Sequence, residues 1–367
     1  MMPAMPTATP TPRQIADTLA RRVIGQPVAV REVAVALAKH LGGQGAGNIL
    51  MIGASGTGKT TLMRAVEEYL AADAELAARS TQVRIHANVL GEEAERGRPG
   101  EAVLGRLLAR AREQLGNEAP TEELLARVRH GIVFVDEVDK IRSHVGDRVN
   151  VSGIRAQEAL LTLIENEAVP FVLPAWAGGG SVRVDSSGLL FVCAGAFEGL
   201  YDAVYDRVTI GRDRGALQTV TVVADGEVEE ELRFRLRDWL RGEDLFDYGM
   251  SPQFLSRFEA VVLLEDLGIE ELVRIFLEAP DAAYRRSHAY FAGRGIRLAL
   301  SPAAVRRIAR EATRSRRLGA RALNEVFRRV IRDYEYEPEG RLAPGTEALL
   351  IDVPEVERAL GGAAGTS

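Results

Sequence analysis

Cysteine occurs once in the 367 residues, as Cys193. A single thiol excludes a disulfide framework and any zinc site assembled from several cysteines. Histidine is scarce too: His40, His86, His130, His144 and His288 lie scattered, without the spacing of a metal cage. Lysine stands only at Lys39, Lys59 and Lys140, against an arginine excess for which genomic base composition is explanation enough. No long hydrophobic run exists; the longest, Gly188 to Phe197, is about half the ~20 residues a membrane helix needs. Positive charge is not in surplus, since 46 Lys+Arg against 52 Asp+Glu leave −6, which suits a generic polyanion binder poorly. Residues 1–12, rich in Pro and Thr, lack the charged and apolar blocks of a signal peptide and read as a flexible tail. A cytoplasmic protein without a membrane partner is the expectation.

What is present is strand–helix alternation. Thr11 to Ala20 predicts a helix with Thr11 as N-cap and Pro12 at its first position, and Val28 to His40 a second. The continuous apolar runs Ile49 to Ile52, Ile132 to Val135 and Leu189 to Cys193 predict strands buried on both faces, with Val83 to Ile85 as a shorter one. Helical periodicity covers Lys59 to Ala72, Glu101 to Leu115 and Gln157 to Glu165. The pattern predicts an α/β fold, a parallel sheet covered by helices. Thr219 to Val223 and Val228 to Phe234 flank Asp225-Gly226, a hairpin signal. Beyond Leu264 the chain turns mostly helical: Ile269 to Glu278, Ala282 to Phe291, Pro302 to Thr313 and Ala320 to Tyr334. The resulting division is a large domain over 13–264, a small helical domain over 265–355 and a C-terminal tail over 356–367.

Gly53-Ala54-Ser55-Gly56-Thr57-Gly58-Lys59-Thr60 fits G-x-x-x-x-G-K-[ST] between an apolar strand and a helix, the context this phosphate loop requires. Glycines let successive N–H groups turn toward phosphate oxygens, and the helix N-terminus adds its positive end. Ser55, Gly56, Thr57, Gly58, Lys59, Thr60 and Thr61 are the expected ATP-binding residues, with Lys59 on the β- and γ-phosphates and Thr60 on Mg²⁺. A second apolar strand ends in Asp136-Glu137. Side chains alternate along a strand, so Asp136 can serve the Mg²⁺ shell through water while Glu137 polarises the attacking water. Alone, these acids read as two solvated carboxylates. Together with the phosphate loop they predict a nucleoside triphosphatase.

Further residues resemble the AAA+ module of the ClpX family of protein unfoldases, from about Thr9 to Glu337. They are Thr9-Pro10-Thr11-Pro12, Val23-Ile24-Gly25-Gln26, Asp136 to Ile141, Val151-Ser152-Gly153 with Gln157, Gly195-Ala196-Phe197, Pro252 with Phe254 and Arg257, and Gly319-Ala320-Arg321. The resemblance implies a homo-oligomeric ring, usually a hexamer, with ATP at subunit boundaries and domain angle coupled to hydrolysis. It places Val23, Ile24 and Ile275 on adenine, Arg321 on the phosphates of its own subunit, and Arg257 on the neighbour's γ-phosphate. Outside that context each arginine reads as a surface or ion-pairing residue.

The departures are equally specific. The family grips polypeptide with a Gly-Tyr-Val-Gly loop, whereas the corresponding place reads Gly97-Arg98-Pro99-Gly100, and no aromatic residue occurs between Tyr69 and Phe134. Arg98 fits an acidic tail, a phosphate backbone, or an ordinary exposed loop. The four-cysteine zinc domain cannot be built with Cys193 alone, and Ala175-Trp176-Ala177-Gly178-Gly179-Gly180 replaces the Arg-Lys-His triplet. Ile210-Gly211-Arg212 is the nearest string to the peptidase-docking tripeptide, and the segment between Lys140 and Leu189 is too short for the extra domain of the related HslU. The reading is a ring-forming ATPase that remodels an unidentified protein partner without the usual peptidase. Competing readings are a family-faithful unfoldase of a protease, a nucleic-acid motor or loader using Arg98 and the arginines at 306, 307, 314, 316 and 317, and a nucleotide-gated assembly protein.

Overall fold

A computed structural model describes residues 9–45, 47–165, 168–210, 218–224, 227–314, 318–338 and 347–361. The chain divides into two compact units. One contains Arg31–Ile52 and Val66–Leu263; the other contains Ala16–Val30, Gly53–Ala65 and the chain from Leu264 on.

The first unit is built on a five-stranded, wholly parallel sheet of β1 (Asn48–Ile52), β2 (Gln82–His86), β3 (Ile132–Asp136), β4 (Leu190–Gly195) and β5 (Phe258–Leu263), ordered β5-β1-β4-β3-β2. The apolar runs become its central strands because helices cover both faces, leaving no side for polar residues. Ile49 to Ile52, Ile132 to Val135 and all of β4 are buried. The helices Asn88–Glu95, Glu101–Leu115, Thr121–Arg129, Val151–Glu165 and Leu200–Ile210 supply the rest of the core. Glu101–Leu115 forms as its periodicity predicts, with Val103, Leu104, Leu107, Leu108 and Ala111 inward. The helix expected from Gln157 starts at Val151, where Asn150 Oδ1 accepts from Gly153 N at 3.0 Å and so begins it early. β5, Asn88–Glu95 and Thr121–Arg129 have no counterpart in the sequence reading.

The hairpin appears as an antiparallel pair, Gln218–Ala224 with Glu227–Arg233. Its turn, Asp225-Gly226, lies outside the described residues, as do Gly211 and Arg212, most of the 1–12 tail, and Arg316 and Arg317. The expected first cap is present: Thr11 Oγ1 accepts from Gln14 N at 3.3 Å, and Gln14 Oε1 accepts from Thr11 N at 2.9 Å.

In the second unit the helices Ile269–Glu278, Ala283–Ala292, Pro302–Thr313 and Ala320–Tyr336 surround one core with Phe276, Phe291, Ile308 and Phe327 inside. A parallel pair, Arg297–Leu300 with Ala348–Ile351, was not legible as strands, because each is four residues long. The helix Val353–Gly361 corrects the tail expected over 356–367: Val356 is fully buried and ties residues 356–361 to the core. Among the described residues no helix is long and apolar enough to cross a membrane.

Burial holds the half-buried imidazole of His40 below its ordinary 6.5, and the bond its Nε2 donates to the His130 carbonyl at 3.1 Å offsets only part of this. The folded protein therefore binds this proton less readily than the unfolded chain. The stability involved is complete above the unfolded pKa and is lost as pH falls through and below about 6.5. Thermal denaturation from pH 7.5 to 5.5 is expected to show a shallower decline in His40→Gln than in the parent; identical slopes would contradict it.

Candidate nucleotide site

β1 leaves the carboxyl edge of the sheet directly into the loop Gly53 to Gly58, and the helix Lys59–Ala71 starts at its end. Gly56 and Gly58 sit at φ +78° and +107°, conformations that favour glycine. Gly56 also has no room for a side chain, because a Cβ there would lie 2.2 Å from the Leu318 carbonyl oxygen. Thr57 is buried, and its hydroxyl donates to the Ala54 carbonyl at 2.9 Å, closing the loop on itself. The ammonium of Lys59 lies inside the loop and donates to the carbonyls of Gly53 and Ala54. Gln26, also buried, bonds the Thr57 and Glu265 carbonyls at 3.0 and 2.8 Å and accepts from Glu265 N at 3.1 Å. The loop thus packs with Ala16–Val30 and the segment after Leu264, although in sequence it belongs to the stretch 13–264.

Arg321, at the start of Ala320–Tyr336, donates from Nη1 to Ser55 Oγ at 2.7 Å, and Ala320 N donates to the Gly56 carbonyl at 3.2 Å. The arginine assigned to the phosphates by resemblance is therefore anchored on the phosphate loop itself. Val23 and Ile24 are buried in the same unit, and Ile275 packs against its core.

In the first unit Asp136 ends β3 and Glu137 follows at φ +59°, ψ +36°. Left-handed backbone costs a non-glycine residue roughly 1–2 kcal/mol. Here it is held by bonds on both sides: Glu137 N donates to Asp136 Oδ1 at 2.9 Å, and Lys140 N donates to the Glu137 carbonyl at 3.0 Å. Such strain falls at the residue expected to activate water. Asp139 is buried and accepts from Ala196 N at 3.1 Å, joining this turn to the end of β4. Reading by sequence missed His86, whose Nδ1 lies 3.7 Å from Glu137 Oε2. No local signal could have found it, because only the pairing of β2 with β3 sets His86 opposite Asp136.

Arg257 stands between the short helix Pro252–Leu255 and β5, and pairs through Nε with the carboxylate of Glu165. Gly97 to Gly100 forms the turn between Asn88–Glu95 and Glu101–Leu115; Arg98 there is 63% exposed and lies 3.3 Å from Glu101. Trp176, also exposed, has the Arg112 guanidinium 4.4 Å from its ring centre. The C-terminal arginines face carboxylates: Arg306 faces Glu270, Arg307 faces Glu311 and Glu357, and Arg314 faces Glu311.

The family model described as AAA domain (Cdc48 subfamily) matches residues 44–261, which is more than half of the chain. The chain is 31% identical over 355 residues to a protein of Methylococcus capsulatus named ATP-dependent Clp protease ATP-binding subunit ClpX 3, covering 89% of this chain and 76% of that one. It is 27% identical over 349 residues to the ATP-dependent Clp protease ATP-binding subunit ClpX of Treponema denticola, covering 90% and 78%. The parallel sheet, the glycine loop and these matches agree: the chain belongs to the AAA domain family and is a diverged, ClpX-like AAA+ ATPase.

Proposed function

We propose that this chain forms homo-oligomeric rings, hexameric by analogy, that hydrolyse ATP in the cytoplasm to remodel a specific protein partner without the usual peptidase. The observation that carries the reading is Arg321 seated on Ser55, which ties the helix Ala320–Tyr336 to the loop that would hold the phosphates. The residues fit MgATP on their own chemistry. The loop offers glycines in conformations that turn N–H groups inward, and Thr60 and Asp136 offer the hard oxygens Mg²⁺ prefers. Mg²⁺ held there would supply positive charge to the triphosphate. Lys59 contacts those phosphates, Arg321 orients them, Val23, Ile24 and Ile275 flank the adenine, and Glu137 takes a proton from the attacking water. Arg257 acts on the ATP of the adjoining protomer.

The relatives' names place them in a Clp protease, which makes a family-faithful unfoldase the nearest alternative. Against it stand the absent aromatic grip at 97–100 and the lack of a recognisable docking tripeptide. A nucleic-acid motor is disfavoured by the carboxylates facing Arg306, Arg307 and Arg314. A site shared between protomers makes ATP turnover per chain rise steeply with protein concentration as rings assemble. Phosphate release measured across a dilution series beside sedimentation tests this; full turnover by strictly monomeric protein would overturn the proposal.

A further inference from the structure

Arg257 is held far more firmly than a surface arginine requires. Its backbone N–H donates to the Phe254 carbonyl at 3.2 Å, and its own carbonyl accepts from Asn48 Nδ2 at 3.1 Å. Asn48 Oδ1 in turn accepts from Phe191 N at 3.0 Å, so one side chain joins β1, β4 and the start of β5. Just upstream, Ser251 Oγ caps the short helix by accepting from Phe254 N at 3.3 Å, and Ser251 N donates to Gln157 Oε1 at 2.8 Å. Gln157, buried on the helix Val151–Glu165, also donates to the carbonyls of Ile141 and Gly249. Phe254 is fully buried and meets the Phe258 ring nearly edge-on, 4.9 Å between centres. The main chain at 257 therefore has little freedom.

The side chain is different: it is 47% exposed, and the partner of its Nε is the Glu165 carboxylate, itself 34% exposed. Glu165 is the last residue of Val151–Glu165. A carboxylate at a helix C-terminus meets the negative end of the dipole, so the residue is placed against local electrostatics. The Arg257 cation offsets this. A local rule broken in favour of one contact indicates that the contact has a use.

We propose that Glu165 is a positioning residue for Arg257, holding the guanidinium by Nε in the orientation it presents to the neighbouring protomer's nucleotide. The proposal rests on the reading of Arg257 as a group acting across the subunit boundary. A half-exposed ion pair is worth a factor of up to about five, too little to withhold the arginine from a triphosphate. It is enough to offset part of the rotamer freedom an arginine loses on acting. Loss of the Glu165 carboxylate is therefore expected to lower kcat about three- to fivefold and to leave the KM for ATP unchanged, because the affected arginine belongs to the other chain and acts on transition-state charge.

Mixed rings test this. Arg257→Ala chains keep Lys59 but present no arginine, and Lys59→Ala chains present the arginine but do not use ATP; together they are expected to regain activity. Adding Glu165→Ala to the Lys59→Ala chains should reduce the regained kcat about three- to fivefold, whereas adding it to the Arg257→Ala chains should not. Glu165→Gln, which keeps an oxygen within reach of Nε, should retain more activity than Glu165→Ala in the sensitive arrangement. Equal loss in both arrangements, no loss in either, or a Gln variant no better than Ala overturns the positioning role alone. No recovery in the parent mixture overturns the trans action of Arg257 and this proposal with it.

Discussion

Glu137→Gln is expected to lower ATP turnover at least ~100-fold while leaving ATP affinity within about threefold of the parent. The substitution preserves size, so the left-handed turn at 137 and the bonds around it (Glu137 N to Asp136, Lys140 N to the 137 carbonyl) are kept. What disappears is the carboxylate proposed to accept a proton from water. A general change in the site would weaken binding too, which separates the two explanations. Steady-state phosphate release together with a fluorescent-nucleotide titration measures both, and undiminished hydrolysis would remove Glu137 from its role. The same variant, loaded with ATP and stalled, would retain whatever protein the proposed ring holds.

The second large effect is expected at Gly56. Gly56→Ala places a Cβ 2.2 Å from the Leu318 carbonyl oxygen and 3.1 Å from Ala320 N, both backbone atoms with little room to yield, and at φ +78°. Overpacking and left-handed strain together amount to about 2–5 kcal/mol, enough to part the loop from the 318–321 turn. Ala320 N would then lose the Gly56 carbonyl, and Arg321 would lose its seat on Ser55. ATP affinity is expected to fall more than ~100-fold, with a lower Tm. Gly58→Ala is the control, since φ there is +107° but nothing lies within 4 Å of a Cβ. It should lose only the roughly 1–2 kcal/mol of strain. Equal behaviour of the two variants would show that contact with Leu318 is unimportant.

Much of the glycine loop and the sheet around it is legible in the sequence. The glycine loop, the apolar runs around it and the pair Asp136-Glu137 are short-range patterns, and burial of a strand on both faces leaves the same apolar signature wherever it occurs. Helices with a strong stripe, such as Ile269–Glu278 and Pro302–Thr313, were equally legible at both ends. Elements that lacked a stripe or sufficient length were missed. Arg297–Leu300 and Ala348–Ile351 have four residues each and become strands because they pair with one another. Residues 356–361 read as tail in sequence, yet Val356 closes a core.

Residue order along the chain was enough to specify the class of fold and the place of the glycine loop between strand and helix, because glycine spacing, capping and alternation act over a few neighbours. Sheet order and register are decided by contacts between distant segments, and these brought His86 beside Glu137, Arg321 onto Ser55, Leu318 against Gly56 and Glu165 onto Arg257. No local periodicity encodes such pairs. They exist because burying the apolar faces of the sheet and helices leaves one way to stack them, and the polar ends then meet whatever that stacking sets opposite.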